Sequence, residues 1–270
     1  MDSSLHDGAG PTAPGTVAVP RPSLLRACLW ALCGAGCGLV LWVALSSVLL
    51  MDSVGMLREL ADLQTWGLAL GVALASTGLG LFWPKPPAPA PGHWWGRGLA
   101  ALLVVVAAGA TLALLLRQPA PDPTVRALMA ALATVAALAM IAARVLLEGG
   151  AIDRRLPARL ALALLGGAVL LFVLIARHWP GPMPATGPIP ALALLALAAT
   201  ALVVAQWWPE GGLQPWRRWR GRWLVLVLIA ALPLLLAGLL QLRPGWAFVV
   251  WPLVALSVLA GSALERLQDR

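Results

Sequence analysis

Charge is what this sequence has least of. Charged residues make up 11% of its 270 positions, whereas a soluble domain carries about 25%. Hydrophobic residues make up 60%, against about 45–50% in soluble proteins. No soluble fold buries that much apolar surface while showing so little charge to water. The arithmetic excludes soluble globular, disordered, collagen-like, coiled-coil and disulfide-scaffold classes. It leaves an all-α, polytopic integral membrane protein.

Lysine is nearly absent too. Lys85 stands alone beside 18 arginines, and the net charge is +8. A basic balance of that size suits nucleic acid only when the cations form one stripe or patch. Here they sit between apolar runs, so no nucleic-acid partner is expected. The three cysteines, Cys28, Cys33 and Cys37, share one apolar run and lack C-x-x-C spacing. They read as inert buried thiols, with neither a metal site nor a disulfide.

Histidine occurs only at His6, His93 and His178, never at the centre of an apolar run. A membrane haem b needs axial histidines on facing spans, so that class of cytochrome is excluded. No carboxylate lies at a span centre, which removes the usual route for proton pumping. There is no G-x-S-x-G, no H-E-x-x-H and no paired carboxylate at a membrane face, which argues against an intramembrane protease. No catalytic and no metal-ligating residue is expected.

What is present is a series of apolar runs. A bilayer span needs about 20 residues. Eight runs qualify: 24–50, 62–83, 97–116, 125–147, 158–176, 189–208, 222–242 and 246–264. The expected layout is a polar, disordered tail over 1–23, an eight-helix membrane domain over 24–264 and a short tail over 265–270. The run Pro84–Gly92 reads as a polyproline spacer, and Pro180–Pro190 as a second proline-rich connection. Pro233 should kink the seventh span. Gly34, Gly36 and Gly38, together with Gly67 and Gly71, give small-residue faces that let helices approach closely.

Threading eight spans sorts the cations into 14 on the side of both termini and 5 (Arg58, Arg117, Arg126, Arg177, Arg243) on the other. The bias of Lys and Arg toward the cytoplasm puts both termini there. Many of the 14 tryptophans fall at span ends. Trp83, Trp94, Trp95, Trp207, Trp208, Trp216, Trp219 and Trp223 fall on one side, and Trp66, Trp179 and Trp246 on the other, as interfacial belts do. Arg144, closing the fourth span, either snorkels to the interface or meets an anionic headgroup.

Several stretches, in order, resemble the membrane-anchor subunit of dimethyl sulfoxide reductase-type molybdoenzymes. Leu32-Cys33-Gly34-Ala35-Gly36-Cys37-Gly38-Leu39 is similar to that family's first-span SGAGYGL pattern. Trp94-Trp95-Gly96-Arg97 is similar to its WLSRE at the start of the third span. Met140-Ile141-Ala142-Ala143, followed by basic residues and Pro157, is similar to its MIYA segment, and Leu264-Glu265-Arg266 to the Glu-Arg closing the eighth span. Two positions depart from the family. The second-span exit, Leu79 to Pro84, has no histidine, and Gly98 stands where the family has glutamate.

The resemblance implies an eight-span anchor in the bacterial plasma membrane. It would hold an iron–sulfur subunit and a molybdopterin catalytic subunit and bind no cofactor of its own, with menaquinol or ubiquinol as electron source. Either a non-catalytic or a quinol-oxidising subunit fits. Trp94, Trp95, Arg97 and Arg144 are then the expected quinol contacts, and Arg154, Arg155, Arg217 and Arg218 the expected docking cations. Two other readings stay open on the sequence alone. One is a multi-span permease or lipid-handling transporter, which suits the Gly/Pro-interrupted helices. The other is a membrane scaffold or assembly protein, which suits the lack of buried polar chemistry.

Overall fold

A computed structural model of the chain describes residues 23–49, 57–78, 101–103, 105–110, 112–113, 122–147, 152–178, 188–207 and 216–268. Among them there is no strand. The helices are α1 (Leu24–Leu49), α2 (Leu57–Ser76), α3 (Pro123–Leu147), α4 (Ile152–His178), α5 (Pro188–Trp207), α6 (Trp216–Leu226), α7 (Leu232–Leu242) and α8 (Ala247–Gln268). A π-helical turn, Val227–Ala231, joins α6 to α7, and a 3-10 turn, Pro244–Trp246, precedes α8. The expected N-terminal tail up to residue 22, the polyproline spacer and the 180–187 part of the second proline-rich connection lie outside the described residues.

Six helical segments among the described residues are long and apolar enough to cross a membrane: α1, α3, α4, α5, the continuous α6–α7 unit and α8. The chain is an all-helical, multi-pass membrane protein. Six is fewer than the eight expected from the apolar runs. Expected span two corresponds to α2, which starts earlier, at Leu57, and takes in Arg58, Glu59 and Asp62. Its α-helical bonding ends in a tighter turn, where the Gly78 N–H donates to the Ala75 carbonyl at 3.0 Å. Expected span three is described only in part, as the apolar helix Ala101–Ala110.

The bundle is built around α1 and α4. Their crossing is backbone on backbone. A methyl group on Gly38 would occupy the Ala163 carbonyl, and one on Gly167 would occupy the Gly38 backbone. The α1–α2 crossing is similar, since a methyl on Gly36 would sit 2.5 Å from the Ala75 nitrogen. Small residues replace a hydrophobic driving force that lipid does not supply. α2 runs antiparallel to α1: Gly67 faces Val43, Gly71 faces Val40, and Gly78 faces Cys33.

Two large apolar clusters flank this centre, beside a smaller one of Leu39, Val43, Leu68 and Leu112. One joins α1, α2, α3 and the start of α4 through residues such as Val40, Ala75, Ala137 and Met140. The other joins α4, α5, α6, α7 and α8 through Leu165, Leu192, Ile229, Trp251 and Val254. Leu194, Leu197, Leu235 and Leu256 point outward and are exposed, as a lipid-facing surface requires.

At Pro233, where a kink is expected, the structure shows a π turn just before the proline. A proline lacks an N–H and crowds the preceding turn. The chain answers with the wider π turn just before it. The Ser257 hydroxyl on α8 donates to the Leu228 carbonyl in that turn at 2.7 Å. A carbonyl loosened by the π geometry is thereby satisfied from the neighbouring helix.

At the C-terminus the structure corrects the expected boundary. α8 continues to Gln268, so Glu265 and Arg266 belong to the bundle and not to a tail.

Candidate functional site: an arginine-lined pocket at one end of the bundle

Four helices bring their polar ends together. Arg144 lies in the last turn of α3, Arg159 early in α4, and Glu265 and Arg266 at the end of α8, all beside Trp30, Cys33 and Gly34 of α1. The last turn of a helix favours a cation, because unsatisfied carbonyls leave partial negative charge there. Arg144 and Arg266 both occupy such turns.

Arg144 is 3% exposed. One Nη2–H donates to the Trp30 main-chain carbonyl at 2.6 Å, and the guanidinium carbon lies 4.7 Å from the Trp30 ring centre. Arg266 approaches the same ring at 5.3 Å. An indole flanked by two guanidiniums is a strong cation–π arrangement once water is excluded.

Arg159 and Glu265 form a buried ion pair through Nη1 and Oε2. Their side chains are 4% and 0% exposed. Removing one member of such a pair is far costlier than removing both, because the survivor is a buried uncompensated charge.

Between these groups is a small pocket lined by Gly34, Ile141, Arg144, Val145, Arg159, Ala163 and Arg266. Three arginine side chains therefore border one space. Among the described residues that line it there is no carboxylate. The Arg144 Nε is buried and has no hydrogen-bond partner. Gly34 keeps the α1 wall open: a methyl there would touch Arg144 Nη1 at 3.4 Å.

Of the expected quinol contacts, Arg144 is among the described residues. Trp94, Trp95 and Arg97 lie outside the described residues. Arg144, grouped with them from the sequence, faces α1 and the arginine pocket. It does not snorkel outward, because Trp30 offers both a carbonyl and a ring inside the bundle. Of the expected docking cations, Arg155 is half-buried and makes contacts of its own. Arg154 is on α4, and Arg217 and Arg218 are on α6; their side chains lie outside the described ones.

Arg159 and Glu265 were missed as a pair by sequence reasoning. The available signal was topological. An early position in the fifth expected span and the end of the eighth fall on one face, so opposite charges there are within reach of each other.

The far end of the bundle is built differently. Arg177 lies 5.4 Å from the Phe248 ring, Arg243 lies 5.6 Å from Trp246, and His178 stacks on Trp66 with centres 6.4 Å apart. These polar groups are exposed. Trp66 and Trp246 are exposed here as interfacial indoles should be, as is Trp223 at the pocket end, where Trp207 is buried under Arg222, whose guanidinium carbon is 5.2 Å from the ring.

Cys33 and Cys37 are buried free thiols one turn apart on α1. Among the described residues no group of His, Cys, Asp and Glu has the makings of a metal site.

No family model matches this sequence, and neither curated proteins nor solved structures yield a similar protein.

Proposed function

We propose that the chain is an eight-span anchor subunit of a dimethyl sulfoxide reductase-type complex in the bacterial plasma membrane. It holds an iron–sulfur subunit, and through it a molybdopterin subunit, at its arginine-rich end, and electrons reach that partner from menaquinol or ubiquinol. α2 and the helix containing Ala101–Ala110 supply the two spans beyond the six, and both termini are cytoplasmic.

One observation carries the reading. Three of the four family-like stretches, far apart in sequence, meet at one pocket: Gly34 from the first, Ile141 with the adjoining Arg144 from the MIYA-like segment, and Arg266 from the closing Glu-Arg. Resemblances that were only serial in the chain are thus also spatial. A basic end of this kind complements an acidic partner surface, with Arg154, Arg155, Arg217 and Arg218 as the docking cations.

The quinol contacts in this proposal are Trp94, Trp95 and Arg97. Arginine donates to a quinone oxygen while indole stacks on the ring.

The deciding experiment is purification of the full chain from its native membrane in mild detergent. A partner with iron–sulfur absorbance should co-elute, and Arg97→Leu should abolish its reduction by quinol. Recovery of a lone, colourless protein across several mild detergents contradicts the anchor role. Undiminished quinol-dependent reduction in Arg97→Leu removes that residue from the site.

A further inference from the structure

We propose that the arginine pocket is a binding site for a phosphate-bearing anion, seated between the ends of α1, α3, α4 and α8. The inference goes beyond the anchor reading and stands whether or not a redox partner exists.

Arg144 is the decisive group. Its charge is almost wholly buried, yet the structure pairs it with a carbonyl, a ring and the Cys33 thiol, not with a carboxylate. An ionisable side chain held within a membrane bundle normally has a charged partner or a functional task. Arg159 has Glu265, whereas Arg144 has no acid among the described residues. Its Nε is without a hydrogen-bond partner.

The chemistry of the space selects the ligand class. Guanidinium is planar and presents its donors as a fork that matches the oxygens of phosphate or carboxylate in pairs. Arg144, Arg159 and Arg266 border one space with Glu265 as the neighbouring carboxylate, and this excess of positive charge favours an anion with several acceptor oxygens, such as phosphate. The apolar walls, Ile141, Val145 and Ala163, suit a group whose remainder lies in lipid. Basic pockets between membrane helices take phospholipid headgroups in this way.

Two sources offer this chemistry: the headgroup of an anionic phospholipid and free inorganic phosphate. The test uses the full chain, purified and delipidated in a neutral detergent. It is titrated separately with dioleoylphosphatidylglycerol, with dioleoylglycerol and with inorganic phosphate, and followed by native mass spectrometry and thermal unfolding.

The expected result is a retained phosphatidylglycerol adduct and a raised unfolding temperature, with no effect of dioleoylglycerol. A rise with inorganic phosphate alone, and no lipid adduct, identifies the free anion as the ligand. Arg144→Gln should bind about tenfold more weakly or worse, since charge-assisted bonds are lost. Arg177→Gln, at the far end, should bind as the parent does.

Folding of the variant is checked independently on the parent protein, where excess inorganic phosphate should displace bound phosphatidylglycerol and excess dioleoylglycerol should not. Equal retention of dioleoylglycerol, undiminished binding in Arg144→Gln, or failure of both phosphate probes to bind the parent overturns the proposal.

Discussion

The two ends of the bundle use the same residue type in opposite ways. At one end Arg144 and Arg159 are drawn inside, against Trp30 and Glu265. At the other, Arg177 and Arg243 rest on Phe248 and Trp246 and stay exposed. Composition does not separate these ends. What separates them is what each arginine meets: a main-chain carbonyl, a buried carboxylate and small residues on α1 at one end, and aromatic rings at the other. An arginine at a membrane interface snorkels unless the protein offers a better partner inside, and here one end offers it.

The largest expected effect comes from breaking the buried pair. Glu265→Gln leaves Arg159 charged and uncompensated, and should cost about 3–5 kcal/mol, read as a lowered unfolding temperature in detergent. The double change Arg159→Leu with Glu265→Leu should recover most of that loss. A single variant as stable as the parent would place Arg159 in contact with solvent and dissolve the contrast between the ends.

Next is the central crossing. Gly38→Val drives a side chain into the Ala163 backbone, and overpacking of this kind costs about 1–3 kcal/mol. Gly245, with no neighbour within 4 Å of an added methyl, is the matched control. If Gly38→Val and Gly245→Ala melt together, α1 and α4 are not in backbone contact.

Trp30→Leu removes the ring shared by Arg144 and Arg266 but leaves the main-chain carbonyl. The loss should be about 1–4 kcal/mol, from two desolvated cation–π contacts of about 0.5–2 kcal/mol each. The smallest effect is expected at the far end. Arg177→Ala and Arg243→Ala should each change stability by about 0.5–1 kcal/mol or less, as exposed cation–π contacts do. A far-end loss equal to that of Trp30→Leu would erase the distinction.

Much of the fold was legible because lipid leaves few choices. Backbone groups in hydrocarbon must bond within their own helix, so uninterrupted apolar runs such as 125–147 and 189–208 translate almost residue for residue into α3 and α5. The glycines of α1 were legible for a related reason: only close helix approach needs them in that density. The limits of α2 were not, because its first turns carry charge and apolarity alone sets no start there.

The pocket was half legible. Arg144 stood out as a lone cation at a span end. The pairing of Arg159 with Glu265 spans 106 positions and depends on α8 packing against α4, which no local pattern encodes. The sequence reading of an interior without ionisable chemistry therefore fails at one end, where Arg144, Arg159 and Glu265 are buried.

The most direct test of that asymmetry is arginine-selective dicarbonyl labelling of the folded full chain, read by peptide mass spectrometry. Arg177 and Arg243 should be modified, while Arg144 and Arg159 stay protected until the protein is unfolded. Equal modification of all four in the folded protein contradicts the account.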